Sequence, residues 1–225
     1  MGLTLLAIDS TGAACSAALW RDGAVLAARR LVTERGHAQH LAPLVLATLE
    51  EAGCGVGLLD GVVATVGPGS FTGLRVGLAL AQGIALSAGV PAWGVSSFRV
   101  HAAAAGAGPA VPLVVAIDSR REEIFLQCFR AGPDGDPFMA TPTDAARHLR
   151  AVAGAAPLAV AGDAASALAA ALAAAGIEAV VLQDGPADAA ALAVVAAATL
   201  AAGEPLLPAR PSYLRPPDVT MPGPA

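Results

Sequence analysis

The tetrapeptide Ala7-Ile8-Asp9-Ser10 occurs again as Ala116-Ile117-Asp118-Ser119 in this chain of 225 residues. Each copy ends an apolar run, and each is followed in the same register by an alternating run, residues 15–21 in one case and 124–130 in the other. Apolar runs and strict alternation both predict β-strands, and an Asp-Ser corner between two strands predicts a β-hairpin. The chain is therefore predicted to contain two related halves that begin with the same hairpin.

Hydrophobic periodicity predicts the elements that follow each hairpin. In the first half these are a strand, a helix, a strand, a second helix and a strand, at residues 24–31, 40–52, 62–66, beyond 70 and 93–95, followed by a third helix. In the second half they are a helix from residue 143, a strand, an alanine-rich helix, a strand and a final helix, the middle three at 158–161, 164–175 and 177–182. We expect an α/β protein in which residues 1–106 and 107–225 form two halves of similar architecture.

The run Gly67-Pro68-Gly69-Ser70-Phe71-Thr72-Gly73-Leu74-Arg75-Val76-Gly77 joins an apolar strand to an apolar helix. The proline and the glycines beside it permit a sharp turn, and Ser70 or Thr72 can cap the helix. Such a turn leaves backbone N–H groups at a positive helix end, where a phosphate or carboxylate can bind. The chain has no lysine, so the run is not a P-loop. The alternative is a tight strand-to-helix corner that binds no ligand.

The composition disfavours several classes of protein. A net charge of −5 and the lack of a dense arginine run disfavour tight, unaided binding of nucleic acid. The three cysteines are widely spaced and lack a metal-binding pattern, which is typical of buried thiols in a reducing cytosol. Residues 1–6 have no basic segment and are expected to form a strand rather than a signal peptide. The longest apolar stretches, 74–88 and 189–202, are expected to be too short to cross a membrane, so a cytoplasmic protein is predicted.

Two α/β halves that share a starting motif resemble the actin, Hsp70 and sugar-kinase superfamily. There the strand-end aspartate of each half faces a nucleotide cleft, so the resemblance makes Asp9 and Asp118 candidates for contact with a nucleotide or its magnesium ion. The other candidate contacts for an anion or nucleotide are Ser10, Thr11, Gly67, Gly69 and Ser70. The alternative is that each aspartate caps its own turn. The glycine-rich phosphate hairpins of active kinases are missing, so we expect no nucleotide hydrolysis by this chain alone.

Several short motifs resemble the bacterial TsaB family, also called YeaZ. They are Ala7-Ile8-Asp9-Ser10-Thr11, Ala14-Cys15-Ser16, the glycine run, and Pro211-Ser212-Tyr213-Leu214-Arg215. Proteins of that family help to make threonylcarbamoyladenosine beside the tRNA anticodon, together with the transferase TsaD and the ATPase TsaE. The resemblance implies a non-catalytic scaffold or activator that binds a TsaD-like catalytic subunit, with a TsaE-like ATPase and tRNA reached through the complex. It also implies no cofactor in the chain itself, with a nucleotide only at the interface of the complex.

The same resemblance bears on metal binding, because TsaD is a paralogue that holds its metal with two histidines four residues apart. The resemblance places the first ligand at Ser97 and the second at His101. One ligand is lost, which implies that this chain has no metal and no catalytic residue of its own. His37 and His40, three residues apart, are interpreted as a polar helix entrance rather than as a metal site.

Small residues recur every four positions along the helix after the glycine run, at Gly73, Gly77, Ala81 and Ala85. Such a stripe permits close approach of another element, either within the protein or across an interface, and the residues alone leave both open. The TsaB resemblance favours an interface with TsaD through this helix and helix 40–52, and a homodimer when TsaD is absent. The predicted interface consists of His40, Leu44, Gly73, Arg75, Gly77, Leu78, Ala81, Ile84 and Ala85.

Two other functions remain open: a free-standing actin-like ATPase or kinase, and a peptidase-like hydrolase. No Gly-x-Ser-x-Gly elbow is present, and Cys15 and Cys128 occupy alternating strand positions that are typical of core residues. The proline-rich tail, residues 203–225, is expected to form an extended strap with a loose end. The alternative is that this tail contacts the partner or tRNA.

Overall fold

Two β-sheets organise the computed structural model, which describes residues 2–106, 112–130, 132–151 and 157–215. The first half contains β1 (Thr4–Asp9), β2 (Ala14–Arg21), β3 (Ala24–Val32), α1 (His37–Glu51), a 3-10 turn (Val56–Leu58), β4 (Gly61–Gly67), α2 (Phe71–Ala88), β5 (Ala92–Ser96) and α3 (Ser97–Ala105). The second half of the sequence contains β6 (Leu113–Asp118), β7 (Ile124–Phe129), β8 (Pro133–Ala140), α4 (Pro142–Leu149), β9 (Leu158–Gly162), α5 (Ala165–Ala174), β10 (Ala179–Asp184), α6 (Ala189–Ala201) and β11 (Leu207–Pro208). The predicted order is confirmed, except that α1 begins earlier, at His37, and that β8 and β11 were not predicted.

The two sheets share one strand arrangement. The first has the order β11-β5-β4-β1-β2-β3 and the second has the order β10-β9-β6-β7-β8. In each sheet the opening hairpin is antiparallel, and the next central strand, β4 or β9, runs parallel to the first strand of that hairpin. The duplication predicted from the repeated tetrapeptide is therefore confirmed. The boundary predicted between residues 106 and 107 borders on positions outside the described residues, and it stays a prediction.

Strands β1 and β4 are buried along their whole length because helices cover both faces of the first sheet. On one face, Leu41 of α1 and Leu78 of α2 belong to the same apolar cluster as Ile8. On the other face, Leu192 of α6 packs in a cluster with Ala7. Helix α6 therefore returns from the second half of the sequence to the first sheet, and β11 does the same by pairing with β5.

Helix α2 is 18 residues long with a mean hydropathy of 1.3, and among the described residues it alone is long and apolar enough to cross a membrane. The expectation that this stretch is too short was therefore wrong on length. Length and composition alone are weak evidence for a membrane-spanning helix, because core helices meet the same criteria. One side of α2 packs into the core of the first half, as described below.

Candidate functional site

The glycine corner, residues 67–70, joins the end of β4 to the start of α2. Ser70 caps α2, because its hydroxyl accepts a hydrogen bond from the Gly73 N–H at 3.3 Å. The Ser70 N–H donates to the Thr11 carbonyl at 2.8 Å. A Cβ at Gly69 would lie 2.7 Å from that carbonyl, so only glycine permits so close an approach to the first hairpin loop.

The small-residue stripe of α2 faces the interior of the first half. A Cβ at Gly73 would lie 2.0 Å from the Ser10 carbonyl oxygen, and one at Gly77 would lie 2.6 Å from the Ser10 hydroxyl. That hydroxyl donates to the Gly73 carbonyl at 2.8 Å. The buried residues of α2 include Gly73, Gly77, Leu78, Ala81 and Ala85. The prediction that these five residues face a partner is therefore wrong for this structure, because they are buried where α2 packs against β1 and the loop that follows it.

The remaining predicted interface residues are accessible to different degrees. Arg75 is exposed, while His40, Leu44 and Ile84 are half-buried. His37 is buried at the start of α1, where its Nε2–H donates to the Gly12 carbonyl at 3.0 Å. The two histidines of the predicted helix entrance thus have separate surroundings.

Asp9 lies at the end of β1 and is 1% exposed. Its carboxylate accepts hydrogen bonds from the Thr11 N–H at 3.2 Å and from the Thr11 hydroxyl at 3.1 Å. Burial raises its pKa, and Thr65, Thr11 and His101 lower it in part; the Thr65 hydroxyl lies near but makes no hydrogen bond of normal length. Asp9 therefore caps its own turn, the alternative left open by the sequence, and does not face an open cleft.

Asp118 ends β6 at the duplicate corner and is half-buried. Its carboxylate accepts from the Arg120 N–H at 2.7 Å and pairs with the Arg120 side chain at 3.5 Å. Its own N–H donates to the Asp163 carboxylate at 2.7 Å, and burial raises the pKa of Asp163. Sequence reasoning assigned no role to Asp163, although it directly follows β9 and so lies at a strand end, as Asp118 does at the end of β6.

Burial raises the pKa of Asp9 and of Asp163, and an electrostatic interaction with His101 lowers each in part. The Gln183 side-chain oxygen accepts from the Gly162 N–H at 2.9 Å, so His101 Nδ1–H is the donor in the 3.2 Å contact with that oxygen. Ser97 is completely buried, and its hydroxyl has no hydrogen-bonding partner. Across the part of the chain that the structure describes, no group of three His, Cys, Asp or Glu residues is arranged to hold a metal ion.

A cleft of about 580 Å³ lies between the glycine corner, the loop after β6 and the tail. Gly69 and Ser70 line it, as predicted for an anion contact, and Gly67 lines a neighbouring cavity of about 220 Å³. Asp9, Ser10 and Thr11 are buried and do not line it, and Asp118 reaches it only through Arg120. The lining residues that sequence reasoning did not assign to this site include Phe71, Arg120, Arg121, Phe125, Tyr213 and Arg215.

The tail segment 209–215 holds one side of this cleft. Its Ser212 N–H donates to the Val66 carbonyl at 2.8 Å, and the Gln82 side chain donates to the Ala209 carbonyl at 2.7 Å. Arg215 pairs with Glu123 of the second half at 2.6 Å. The expected strap is confirmed as far as Arg215, and the prolines beyond it, Pro216 and Pro217, lie outside the described residues.

Helices α1 and α2 present an apolar surface on their outer sides. The Leu46 side chain is 58% exposed and the Leu86 side chain is 85% exposed. Both helices pack on the same apolar cluster of the first sheet, and the half-buried Leu44, Leu80 and Ile84 pack against that cluster. The outer apolar residues of this helix pair, called here the apolar helix face, are Leu44, Leu46, Leu80, Ile84 and Leu86.

Known proteins resemble this chain over most of its length. The family model described as TsaD, tRNA N6-adenosine threonylcarbamoyltransferase, matches residues 31–220. The protein named tRNA threonylcarbamoyladenosine biosynthesis protein TsaB from Escherichia coli is 37% identical over 134 residues, which are 59% of this chain and 58% of that protein. The match thus spans less than two thirds of that relative.

Solved structures extend the comparison to the fold. YeaZ from Pseudomonas aeruginosa superposes with a TM-score of 0.78 at 28% identity, covering 94% of this chain and all of that one. The ethanolamine utilization protein EutJ from Carboxydothermus hydrogenoformans shares the fold alone, with a TM-score of 0.54 at 11% identity over 84% of this chain and 88% of that one. The expected duplicated α/β fold of the actin, Hsp70 and sugar-kinase kind is confirmed. The chain belongs to the family that the TsaD model describes and, within it, to the TsaB (YeaZ) group.

Proposed function

We propose that this chain is a non-catalytic subunit that binds a TsaD-like threonylcarbamoyltransferase and activates it in the synthesis of threonylcarbamoyladenosine on tRNA. Membership of the TsaB group supports the process, because the Escherichia coli relative is named for it. The family model that matches the chain is that of the transferase, which supports a partner of related fold. Related folds can pair through equivalent surfaces in a pseudo-symmetric way.

The observation that carries the proposal is the apolar helix face of α1 and α2. Leu86 of α2 is more exposed than any other large apolar residue of the described residues, and Leu46 of the neighbouring helix α1 is also more than half exposed. We expect a partner to cover these residues, because exposed apolar patches usually mark sites of protein association. A TsaD-like subunit with the same two helices would complete a four-helix contact, and a second copy of this chain would cover the face when that subunit is absent.

The buried corner at Asp9 supports a role without catalysis. Desolvation disfavours the charged forms of Asp9 and Asp163. The residue four positions before His101 is Ser97, so the second histidine of a metal-binding pair is missing. A cation site needs charged carboxylates or several neutral ligands in one place. The proposal therefore includes no metal and no cofactor in the chain, with a nucleotide only at the interface of the complex. It further includes a cytoplasmic location, a TsaE-like ATPase as a third component and tRNA reached through the complex.

The test combines purified chain, its TsaD-like partner, the intermediate and tRNA in a threonylcarbamoyl-transfer assay. We expect no transfer by the chain alone and transfer when both proteins are present. The double variant Leu46→Glu/Leu86→Glu should stay folded by thermal melting, fail to co-elute with the partner in size-exclusion chromatography, and lose activation. The matched control is Val180→Glu, because Val180 is 48% exposed on β10, away from the helix face.

Two results would contradict this proposal. Transfer of the threonylcarbamoyl group by the chain alone would show that it is an enzyme. Normal co-elution and activation by Leu46→Glu/Leu86→Glu would exclude the apolar helix face as the partner surface.

A further inference from the structure

We infer that the cleft between the glycine corner and the tail binds one nucleotide unit of the tRNA substrate, its phosphate and its base, an inference that rests on the proposed function. The cleft has a volume of about 580 Å³, which is the size of many small-ligand pockets. Its lining combines arginines, a helix N-terminus and aromatic rings. Each of these groups suits a different part of a nucleotide.

The charge of the cleft differs from that of the whole protein. The chain carries a net charge of −5, yet Arg120, Arg121 and Arg215 all line this one cavity. Asp118 pairs with Arg120 at 3.5 Å, and Glu123 pairs with Arg215 at 2.6 Å. Solvent-exposed ion pairs contribute little, so a phosphate can replace a carboxylate as the partner of a guanidinium group. Arginine is also the residue whose planar fork best fits phosphate.

The start of α2 adds backbone donors to the same cavity. Ser70 uses its hydroxyl for the Gly73 N–H and its N–H for the Thr11 carbonyl, so neither group is spare. The next two N–H groups, of Phe71 and Thr72, belong to the first helical turn and have no acceptor within the helix. Both residues line the cleft, where the positive end of the helix favours an anion.

Two aromatic rings form a platform beside these donors. The Phe71 and Tyr213 rings lie 5.5 Å apart between centroids at an angle of 29°. The Arg75 guanidinium lies 3.8 Å from the Phe71 ring centroid, and its Nε donates to the Tyr213 hydroxyl at 3.1 Å, so it holds the two rings together. Phe71 is 51% exposed and Tyr213 is 44% exposed, which leaves ring surface available for stacking. Aromatic platforms beside arginines are typical of sites that bind unpaired bases.

The experiment measures binding of unmodified tRNA to the complex of this chain with its TsaD-like partner, by fluorescence anisotropy over a series of salt concentrations. Arg120→Gln should weaken binding and reduce the slope of log K against log salt by roughly one. Tyr213→Ala should weaken binding by about 5- to 100-fold with little change in slope, because it removes stacking rather than charge. Arg147→Gln is the matched control, since Arg147 also pairs with an aspartate, Asp144 at 2.6 Å, on the exposed helix α4.

A second arm of the experiment locates the bound RNA directly and distinguishes a nucleotide of tRNA from a free nucleotide as the ligand of the cleft. tRNA that carries 4-thiouridine is irradiated with the complex, and we expect cross-linked peptides that contain Phe71 or Tyr213. Calorimetry with ATP and AMP tests a free nucleotide on the same complex. Binding of free nucleotide that Arg120→Gln abolishes, with an unchanged tRNA slope, would overturn the inference in favour of a nucleotide pocket.

Failure of this inference is distinguishable from failure of the proposed function. If Arg120→Gln and Tyr213→Ala complexes bind tRNA as the wild type does and still activate transfer, the RNA contact is wrong and the subunit role stands. If the chain does not bind the partner at all, the same titrations are made on the chain alone at low salt. Equal affinity of wild type and Arg120→Gln there also overturns the inference.

Discussion

The two copies of the Asp-Ser corner have opposite environments. At the first copy, the Asp9 carboxylate is buried and receives its hydrogen bonds from Thr11, while Ser10 fills the space that the glycines of α2 leave. At the second copy, Asp118 is half-buried, pairs with Arg120 and stands at the edge of an open cleft. One tetrapeptide therefore contributes packing in one half and a cleft wall in the other. A repeated motif predicts a repeated fold, and the side chains that face it decide what it does.

The two corners differ because different helices follow the parallel strands β4 and β9. Helix α2 brings Gly73 and Gly77 to the first corner, so its backbone reaches Ser10. Helix α5 has the corresponding place after β9, but its buried residues are Ala165, Leu168 and Leu172. Their larger side chains fill the layer between the helix and the second sheet, and the corner at Asp118 is left for other contacts.

The largest expected effect is at the contact between α2 and the first corner. Gly73→Ala places a Cβ 2.0 Å from the Ser10 carbonyl oxygen, which is backbone and cannot move aside. We expect a loss of about 3 kcal/mol in the free energy of unfolding, measured with urea, because overpacking forces the helix away from the sheet. The control is Gly83→Ala, where a Cβ meets nothing within 4 Å, and a gain of about 1 kcal/mol is expected from helix propensity. Equal effects at both positions would contradict the packing described here.

The next effect concerns the hydrogen bonds to the buried carboxylate. Thr11→Val keeps the shape of the side chain and removes the hydroxyl that donates to Asp9 at 3.1 Å. We expect a loss of about 2 kcal/mol in the free energy of unfolding, since a buried carboxyl oxygen that loses its hydrogen-bond donor is left unsatisfied. Chemical denaturation measures it. A change below about 0.5 kcal/mol would show that water replaces the hydroxyl and that the first corner is less closed than the structure indicates.

The pH dependence of stability offers a separate test of the same corner. Burial raises the pKa of Asp9 above its ordinary value of 3.8, so the folded state favours the neutral carboxyl. Such a group contributes its full stability below pH 3.8, and that contribution is lost as the pH rises through the raised native pKa. Asp9→Asn should therefore flatten the fall in melting temperature that the wild type shows as the pH rises above 3.8. Identical pH profiles for the two proteins would contradict the burial of Asp9.

A smaller effect is expected at the cap of α2. Ser70→Ala removes the hydroxyl that accepts from the Gly73 N–H at 3.3 Å, and loss of an N-cap costs about 1 kcal/mol. Thr72→Ala, on the exposed side of the first turn, serves as the control and should change the free energy of unfolding by less than about 0.5 kcal/mol. If Thr72→Ala proved the more costly change, the cap would be assigned to the wrong residue.

Much of the fold could be predicted because local patterns repeat. The tetrapeptide at Asp9 and Asp118, the alternating strands and the glycine corner all carry their signal in neighbouring residues. Strand β8 was missed because its sequence, Pro133 to Ala140, contains two prolines, a glycine and two aspartates that read as a loop. It forms by pairing with β7, which is a contact that a local pattern does not reveal.

The candidate site was predicted only in part, for a related reason. Gly69 and Ser70 belong to one local motif and line the cleft together. Arg120 and Tyr213 come from segments far apart in the chain, and only the path of the tail brings them to the same cavity. The stripe on α2 was assigned to the wrong side because periodicity shows that small residues share a face without showing what that face meets.

The smallest expected effect on stability is at the second corner. Arg120→Gln removes an ion pair with Asp118 whose side chains are 48% and 35% exposed, and exposed pairs contribute between zero and about 1 kcal/mol. We expect a loss below about 0.5 kcal/mol in the free energy of unfolding by urea titration, against about 2 kcal/mol for Thr11→Val at the first corner. This contrast separates a corner that holds the fold from one that is available for a ligand. A loss as large as that of Thr11→Val would show that Arg120 is a structural residue, which would contradict the inference that it can exchange Asp118 for a phosphate.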